Sequence, residues 1–190
     1  HPCARGHVFG GLIIGQALRA AQLTVSSDRP VHAIHASFLV GGRSGEHLRH
    51  EVERTRDGGS FATRRVVVTQ SVGPVLVMTA DFHVDEPGLG YELPGAADVP
   101  RPDDLPIGRY ATMWIDSRDV PVTDGSHARR AWFRPTQPVP DDPMLHLQTL
   151  AYLSGEAEPR LRERLAPREA TMPEGMPLAV NAIPAAVLAQ

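Results

Sequence analysis

Residues 10–25, GGLIIGQALRAAQLTV, form a segment whose apolar side chains cover nearly the whole circumference of a helix. These apolar residues are Leu12, Ile13, Ile14, Ala17, Leu18, Ala20, Ala21 and Leu23. A helix that is apolar on almost every side is stable only when other elements bury it. The sequence therefore predicts a domain that is built around this helix. Gly10 and Gly11 at its start would let a neighbouring backbone approach closely.

Four strand-like runs follow this helix, and short connections join them. The runs are 31–40, 46–56, 61–70 and 75–84, with turns such as 57–60 between them. Short connections predict that successive strands are antiparallel neighbours. A helix wrapped by a long antiparallel sheet is an α+β architecture, and this is the fold class that we predict.

The second half of the chain repeats the first weakly. Residues 85–107 are rich in Pro and Gly and have no periodicity, which indicates a linker or a long surface loop. The elements predicted after it are strands at 110–118 and 127–134, an apolar helix that begins near Met144, and a charged helix at 158–166. Asp141 or Asp142 would cap the apolar helix. Too few residues follow for a complete second set of strands, so we expect the second copy to be incomplete.

Charge and composition exclude several classes of partner. The net charge is −3, and the 19 basic residues form no cluster, whereas nucleic-acid binding needs clustered cations. No apolar run is long enough to span a bilayer, so no membrane partner is expected. The single cysteine, Cys3, cannot form an internal disulfide, which fits a reducing cytoplasm.

Several blocks of sequence resemble one family, and they occur in its order with similar spacing. The blocks are HVFGG at 7–11, GQAL at 15–18, VHAIHASFL at 31–39, RDGGSF at 56–61, RRV at 64–66, MTADF at 78–82, WFR at 132–134, VPDD at 139–142 and LAYLS at 150–154. Together they resemble the thioesterase II (TesB-like) family of acyl-CoA thioesterases, which have the hotdog fold. Each block alone would be a weak signal.

This resemblance implies two hotdog domains in one chain. We expect the first at 1–84, a linker at 85–107, and a second, incomplete domain at 108–190. The family hydrolyses fatty acyl-CoA to a free fatty acid and CoA without a cofactor. The cleft around the first helix would bind the acyl-CoA substrate, and the candidate residues are Phe9, Gly10, Gly11 and Gln16. An isolated hotdog sheet leaves its edges unprotected, so a homo-oligomer is also expected.

The catalytic residues that the resemblance would supply are not present. The family holds its attacking water with an Asp, a Thr or Ser, and a Gln. The Asp position is occupied by Gly155, which has no proton acceptor. The Thr aligns best with Val180, and the Gln falls beyond the end of the chain. Weak hydrolysis or none is therefore expected, and an Asp at position 155 would be expected to raise it where the Thr and Gln partners exist. The alternative is a non-catalytic hotdog protein that binds acyl-CoA or has a structural role.

Two histidines are the remaining candidates for a catalytic base. His32 and His35 lie on the first predicted strand and could serve the thioester pocket as neutral donors or as a base. As strand histidines with satisfied rings they would have no catalytic role, and this alternative stays open. A metal site from this pair is not expected, because the spacing predicts rings on opposite faces of the strand. No metal is predicted.

Overall fold

A computed structural model of the chain describes residues 6–88, 99–108, 111–121 and 130–155, and the backbone of 179–181. Its helices are α1 (Gly10–Gln22) and α2 (Pro143–Ser154), with a 3-10 turn at Pro102–Asp104. Its strands are β1 (Val31–Phe38), β2 (Arg49–Asp57), β3 (Phe61–Gln70), β4 (Gly73–His83), β5 (Ile115–Asp119), β6 (Ala131–Pro135) and β7 (Ala179–Asn181). The predicted charged helix at 158–166 lies outside the described residues.

The helix α1 packs an apolar face on an antiparallel sheet, as its sequence predicts. The prediction that it extends to residue 25 and is buried on almost every side was wrong, because it ends at Gln22 and Leu23 is 70% exposed. Residues of α1 that face the sheet are buried with alternate residues of the strands. They are Ile13, Ile14, Ala17, Leu18 and Ala21 on α1, with Ala36, Ala62, Val66, Val68, Leu76, Met78, Ala80 and Phe82 on the strands. The strand residues alternate because side chains i and i+2 share one face of a strand. The predicted α+β class is confirmed.

The sheet has the strand order β2-β3-β4-β1-β7, and every pair in it is antiparallel. The prediction that successive strands are neighbours holds for β2, β3 and β4. It is wrong for β1, which pairs with β4 through contacts such as Ala36 with Met78. The physical reason is the longer connection at 39–48. It takes the chain from β1 on one side of β4, past β4 and β3, to β2 at the edge of the sheet.

A buried guanidinium ties the end of α1 to the β2–β3 hairpin. Arg64 on β3 is only 1% exposed, yet each nitrogen of its guanidinium donates hydrogen bonds within the protein. It donates to the hydroxyl and carbonyl of Thr24, to the carbonyls of Arg56 and Thr63, and to the carboxylate of Asp57. Full pairing is what makes a buried charge tolerable.

The second helix, α2, runs antiparallel to α1 and packs against it. Asp142 is its N-cap, because its carboxylate accepts a hydrogen bond from Met144 N, and this confirms one of the two predicted caps. At the C-terminal end of α1, the buried Gln22 donates to the carbonyl of Met144 and accepts from Gln148 Nε2 at 2.6 Å. These polar contacts fix the two helices in register.

The described residues cluster into two units. One contains His1–Asp85 and Asp141–Gln190, so α2 and β7 pack with the first sheet. The other, Glu86–Pro140, contains the β5–β6 hairpin, in which Asp116 lies between Arg118 and Arg134. The domain boundaries expected from the sequence stay a prediction.

Candidate functional site

The N-terminal turn of α1 is closed by the last turn of α2. The ring of Phe9, which is the N-cap residue, packs edge-on against Tyr152 with centroids 5.0 Å apart. A Cβ added at Gly11 would collide with the carbonyl oxygen of Tyr152 and with the Phe9 ring. Gly15, four residues later, also faces Tyr152. Small residues at this spacing let two helix backbones come close, so Gly11 serves helix-to-helix packing here.

Gly155 lies against the same turn. A Cβ at this position would lie 2.5 Å from both the Cα and the N of Gly11 and 3.2 Å from the Phe9 ring. Backbone atoms cannot move aside as a flexible side chain can. Position 155, where the sequence resemblance places the family's catalytic Asp, is therefore packed as a glycine. An Asp at 155 is accommodated only if α2 shifts, which was not foreseen from the sequence.

On its other side, α1 borders an open groove of about 500 Å³. One wall comes from Val8, Leu12 and Gln16, and the facing wall is the loop 44–48. Pockets of this volume, with aliphatic walls and a few polar groups, are typical of small-molecule sites. Of the four residues predicted to bind substrate, Gln16 lines this groove. Phe9 and Gly11 instead face α2.

The loop wall of the groove is held in place by the turn between β3 and β4. Gln70 Oε1 accepts from Arg43 N at 2.7 Å, and Gln70 Nε2 donates to the carbonyls of Arg43 and Glu46. The Glu46 carboxylate accepts from the Ser71 hydroxyl and from Ser71 N. The Ser71 hydroxyl bond, helped by Arg43, holds the pKa of the Glu46 carboxyl below its usual range. Glu46 is therefore an anion at neutral pH.

The other end of the loop is paired with the segment that precedes α1. Val8 N donates to the carbonyl of Gly42 at 2.7 Å, and Ser44 N donates to the carbonyl of Gly6 at 2.8 Å. Backbone hydrogen bonds thus join the segment before α1, on one wall of the groove, to the loop on the facing wall. The groove is formed before any ligand arrives, which lowers the ordering cost of binding.

His32 and His35 lie away from this groove. A β-bulge between Val31 and Ala33 shifts the alternation of β1, so both histidines lie on the sheet face opposite α1. His35 pairs with Thr79, and the His32 ring lies 6.1 Å from the rings of Phe61 and His83. The expectation that the two rings would point to opposite faces was wrong because the sequence does not reveal the bulge.

His50 is a half-buried titratable residue that was not predicted from the sequence. It alternates with Leu48 and Val52 on β2, both of which pack against the core. A hydrogen bond joins its ring to the backbone of Leu48, whereas Nε2 is buried without a partner among the described residues. Burial of the ring lowers the pKa of His50, against a smaller opposing effect of the Leu48 bond. The signal was available as the period-2 spacing of residues 48, 50 and 52.

The remaining predicted positions are only partly described. The backbone of Val180, aligned with the family's Thr, lies in β7 beside Ala36 of β1. Among the described residues, no group of three His, Cys, Asp or Glu side chains could hold a metal ion. No helix in this part of the chain is long and apolar enough to cross a membrane.

Comparison with known proteins connects this site to one family. The model of the acyl-CoA thioesterase N-terminal domain matches residues 1–83. Human acyl-coenzyme A thioesterase 8 is 38% identical over 98 residues, which are 52% of this chain and 31% of the relative. Acyl-CoA thioesterase 2 of Haemophilus influenzae is 36% identical over 85 residues, or 45% of this chain and 30% of the relative.

Solved structures agree with these matches. The acyl-CoA thioesterase II TesB2 of Mycobacterium marinum is 40% identical with a TM-score of 0.68, covering 78% of this chain and 59% of that one. The tesB protein of Mycobacterium avium subs paratuberculosis is 30% identical with a TM-score of 0.69, covering 86% and 64%. A hot dog fold protein of unknown function from Alicyclobacillus acidocaldarius has a TM-score of 0.64 at 20% identity, covering 80% and 59%. The predicted hotdog architecture is confirmed.

The aligned part of this chain therefore spans about a third of the length of the curated relatives and 59% of the Mycobacterium marinum structure.

Proposed function

Since this chain belongs to the acyl-CoA thioesterase family, with its N-terminal domain at residues 1–83, we propose that it binds fatty acyl-CoA and hydrolyses it slowly to the free fatty acid and CoA. The observation that carries this proposal is the preformed groove between α1 and the loop 44–48, which contains the predicted binding residue Gln16. Its aliphatic residues suit an acyl or pantetheine chain, and its polar residues suit amide groups.

Hydrolysis is expected to be slow because the family's catalytic Asp position is Gly155. General-base assistance contributes typically about 10²–10⁴-fold to such reactions. Gly155 has no proton acceptor and touches Gly11, so a carboxylate is absent from this position and has no space there. His32 and His35 stay candidates as a base by chemistry, but their place on the opposite face of the sheet gives them no support.

The second candidate function is that of an acyl-CoA-binding or structural hotdog protein without turnover. The contact between Gly155 and Gly11 favours it, since this contact replaces a catalytic carboxylate by packing. Both candidates use the same groove for the ligand, so binding alone does not separate them.

The experiment is to measure thiol release from a panel of acyl-CoAs together with acyl-CoA affinity. Slow thiol release that decreases in Gln16→Ala but not in Gln137→Ala, an exposed glutamine of the other unit, is the expected result. Binding without thiol release would establish the non-catalytic candidate. If acyl-CoA neither binds nor is cleaved, the proposal is wrong and the structural role is favoured.

We further propose the architecture and location that the resemblance implies. Two hotdog units, at 1–84 and 108–190 with a linker at 85–107, would assemble as a homo-oligomer. A cytoplasmic location is proposed from the acyl-CoA substrate and from the single cysteine, Cys3. Neither nucleic acid, a membrane nor a cofactor is part of the proposal.

A further inference from the structure

Two side chains that line the groove beside α1 can accept a proton, Glu46 and His47. Within the described part of the chain, no other lining residue has an acidic or basic group. Hydrolysis of a thioester by water gains from such a group, because water attacks more readily when a base takes one of its protons. The choice of a base in this groove is therefore between two adjacent residues.

The carboxylate of Glu46 already has a structural role in the loop 44–48. Its Oε2 accepts from the Ser71 hydroxyl at 2.7 Å and from Ser71 N at 3.3 Å, and its Oε1 lies 3.5 Å from the Arg43 guanidinium. The Ser71 hydroxyl bond is the main reason that the pKa of this carboxyl lies below its usual range, which makes it a weaker base. Taking up a proton would also weaken the contacts that hold the loop, so Glu46 is poorly suited to the task.

The imidazole of His47 has no such role. It is exposed at the groove, and among the described residues no hydrogen bond or ion pair engages its ring. Its neighbours in sequence are both anchored, since the Glu46 carbonyl accepts from Gln70 Nε2 and Leu48 packs against the core. The backbone of His47 is thus held on both sides, and its ring is presented to the groove, which is the arrangement that favours catalysis by a positioned group.

Hydrogen-bond donors lie in the same groove. Gln16 on α1 faces the loop across the groove, and Ser44 belongs to the same loop as His47. In the part of the chain that the structure describes, the Gln16 amide and the Ser44 hydroxyl have no other partner. Such groups can donate to a thioester carbonyl, whose oxygen becomes negative as water adds. The groove therefore contains an uncommitted base together with uncommitted donors.

Resting on the proposed function, we propose that His47 is the general base for thioester hydrolysis in this chain. Its imidazole accepts a proton from a water molecule while the water oxygen adds to the thioester carbonyl carbon. The carbon–sulfur bond then breaks, and the imidazolium returns its proton to the CoA sulfur. The products are the free acid and CoA, and the imidazole is neutral again. His47 thereby takes the role for which His32 and His35, on the opposite face of the sheet, are badly placed.

The first test measures steady-state thiol release from octanoyl-CoA by the full chain and by His47→Gln. Glutamine keeps a polar side chain but does not act as a base, so kcat should fall by about 10- to 100-fold, the lower part of the range for a general base, because the ring is exposed. KM should change less than about threefold, since the lost interaction serves the transition state. His146→Gln, on α2 and outside the groove lining, is the matched control and should keep the parent kcat.

Chemical rescue separates a base from a structural role. His47→Ala removes the ring from an exposed position in an open groove, so added imidazole can reach the vacated space. Imidazole should raise thiol release by His47→Ala well above the reaction of imidazole with octanoyl-CoA alone. It should not raise thiol release by the parent or by His146→Ala. Circular dichroism and thermal melting establish that the variants are folded.

Three results would overturn the inference. Parent-like kcat in folded His47→Gln would show that another group is the base, and it would leave the proposed hydrolysis intact. Thiol release by His47→Ala that imidazole does not raise above background would assign the loss to structure instead. If the parent binds octanoyl-CoA but releases no thiol, the proposed hydrolysis is wrong, the inference is overturned with it, and the non-catalytic candidate is supported.

Discussion

At the scale of single residues, two glycines determine what position 155, the proposed place of the family's catalytic Asp, can hold. Gly11 and Gly155 bring the start of α1 and the end of α2 into backbone contact. The proposed loss of the catalytic carboxylate is thus coupled to helix packing. A single substitution at 155 cannot simply restore the family's chemistry, because the new side chain needs space that Gly11 occupies.

Gly155→Ala should lower the melting temperature. Its Cβ would lie 2.5 Å from Gly11 backbone atoms, and overpacking of this kind costs about 1–3 kcal/mol. For a chain of this size, each kcal/mol corresponds to roughly 2–4 °C. Gly155→Asp should lose at least as much. The control is Gly59→Ala, where an added Cβ meets nothing within 4 Å. Equal melting temperatures for the two alanine variants would show that the contact is not tight.

His50 should make the fold less stable in mild acid. Burial lowers its folded pKa below the unfolded value of 6.5, so the folded state binds fewer protons as pH falls through that value. The stability due to neutral His50 is complete above the unfolded pKa and is lost toward the folded pKa. His50→Leu should therefore reduce the pH dependence of the free energy of unfolding, whereas Thr55→Leu, at an exposed and non-titrating position of the same strand, should not. The measurement is urea unfolding at several pH values, and identical pH profiles for the parent and His50→Leu would contradict this role.

At the scale of elements, the loop 44–48 owes its position to the β3–β4 turn. The loop itself forms no helix or long strand, so its order depends on side-chain bonds from Gln70 and Ser71. These bonds hold the groove open beside α1. The candidate groove is therefore formed in part by an element that secondary-structure patterns describe poorly.

Gln70→Ala should loosen this loop. It removes three hydrogen bonds to the backbone of Arg43 and Glu46, and the expected loss is about 1–3 kcal/mol. Hydrogen exchange of peptides that cover 41–48 should become faster, while exchange in α1 stays slow. Thr55→Ala, on the exposed edge strand β2, serves as the control. Unchanged exchange at 41–48 would mean that the β-bridge between His7 and Arg43 alone orders the loop.

At the scale of the whole molecule, the side chains on an edge strand of the sheet affect whether two copies of the chain can pair edge to edge. The edge strand β2 has the sequence RHEVERTRD and is mostly exposed. Charged side chains on an edge strand oppose pairing with a second sheet, so β2 is a poor site for edge-to-edge association. The proposed homo-oligomer would then use other surfaces.

We predict a dimer or a larger assembly. Light scattering on the purified chain at micromolar concentration measures the mass directly. Because β2 is charged, the mass should not decrease when Arg54→Glu alters its exposed surface. A monomeric mass for the parent chain would contradict the prediction, and dissociation by the β2 variant would contradict the choice of surface.

The sequence alone predicted the burial of α1, strands that overlap β1 to β6, a cap at Asp141 or Asp142, and the family. These features depend on local periodicity, capping chemistry and short motifs, which are written in neighbouring residues. The tertiary structure decided the pairing of β1 with β4, the bulge that places His32 on the same outer face as His35, and the partial burial of His50. It also decided the contact of Gly11 with Gly155 and the Gln70 bonds that shape the groove. These features depend on contacts between residues that are distant in sequence. The packing of α1 against the sheet and α2 sets these contacts, and no local sequence pattern predicts them.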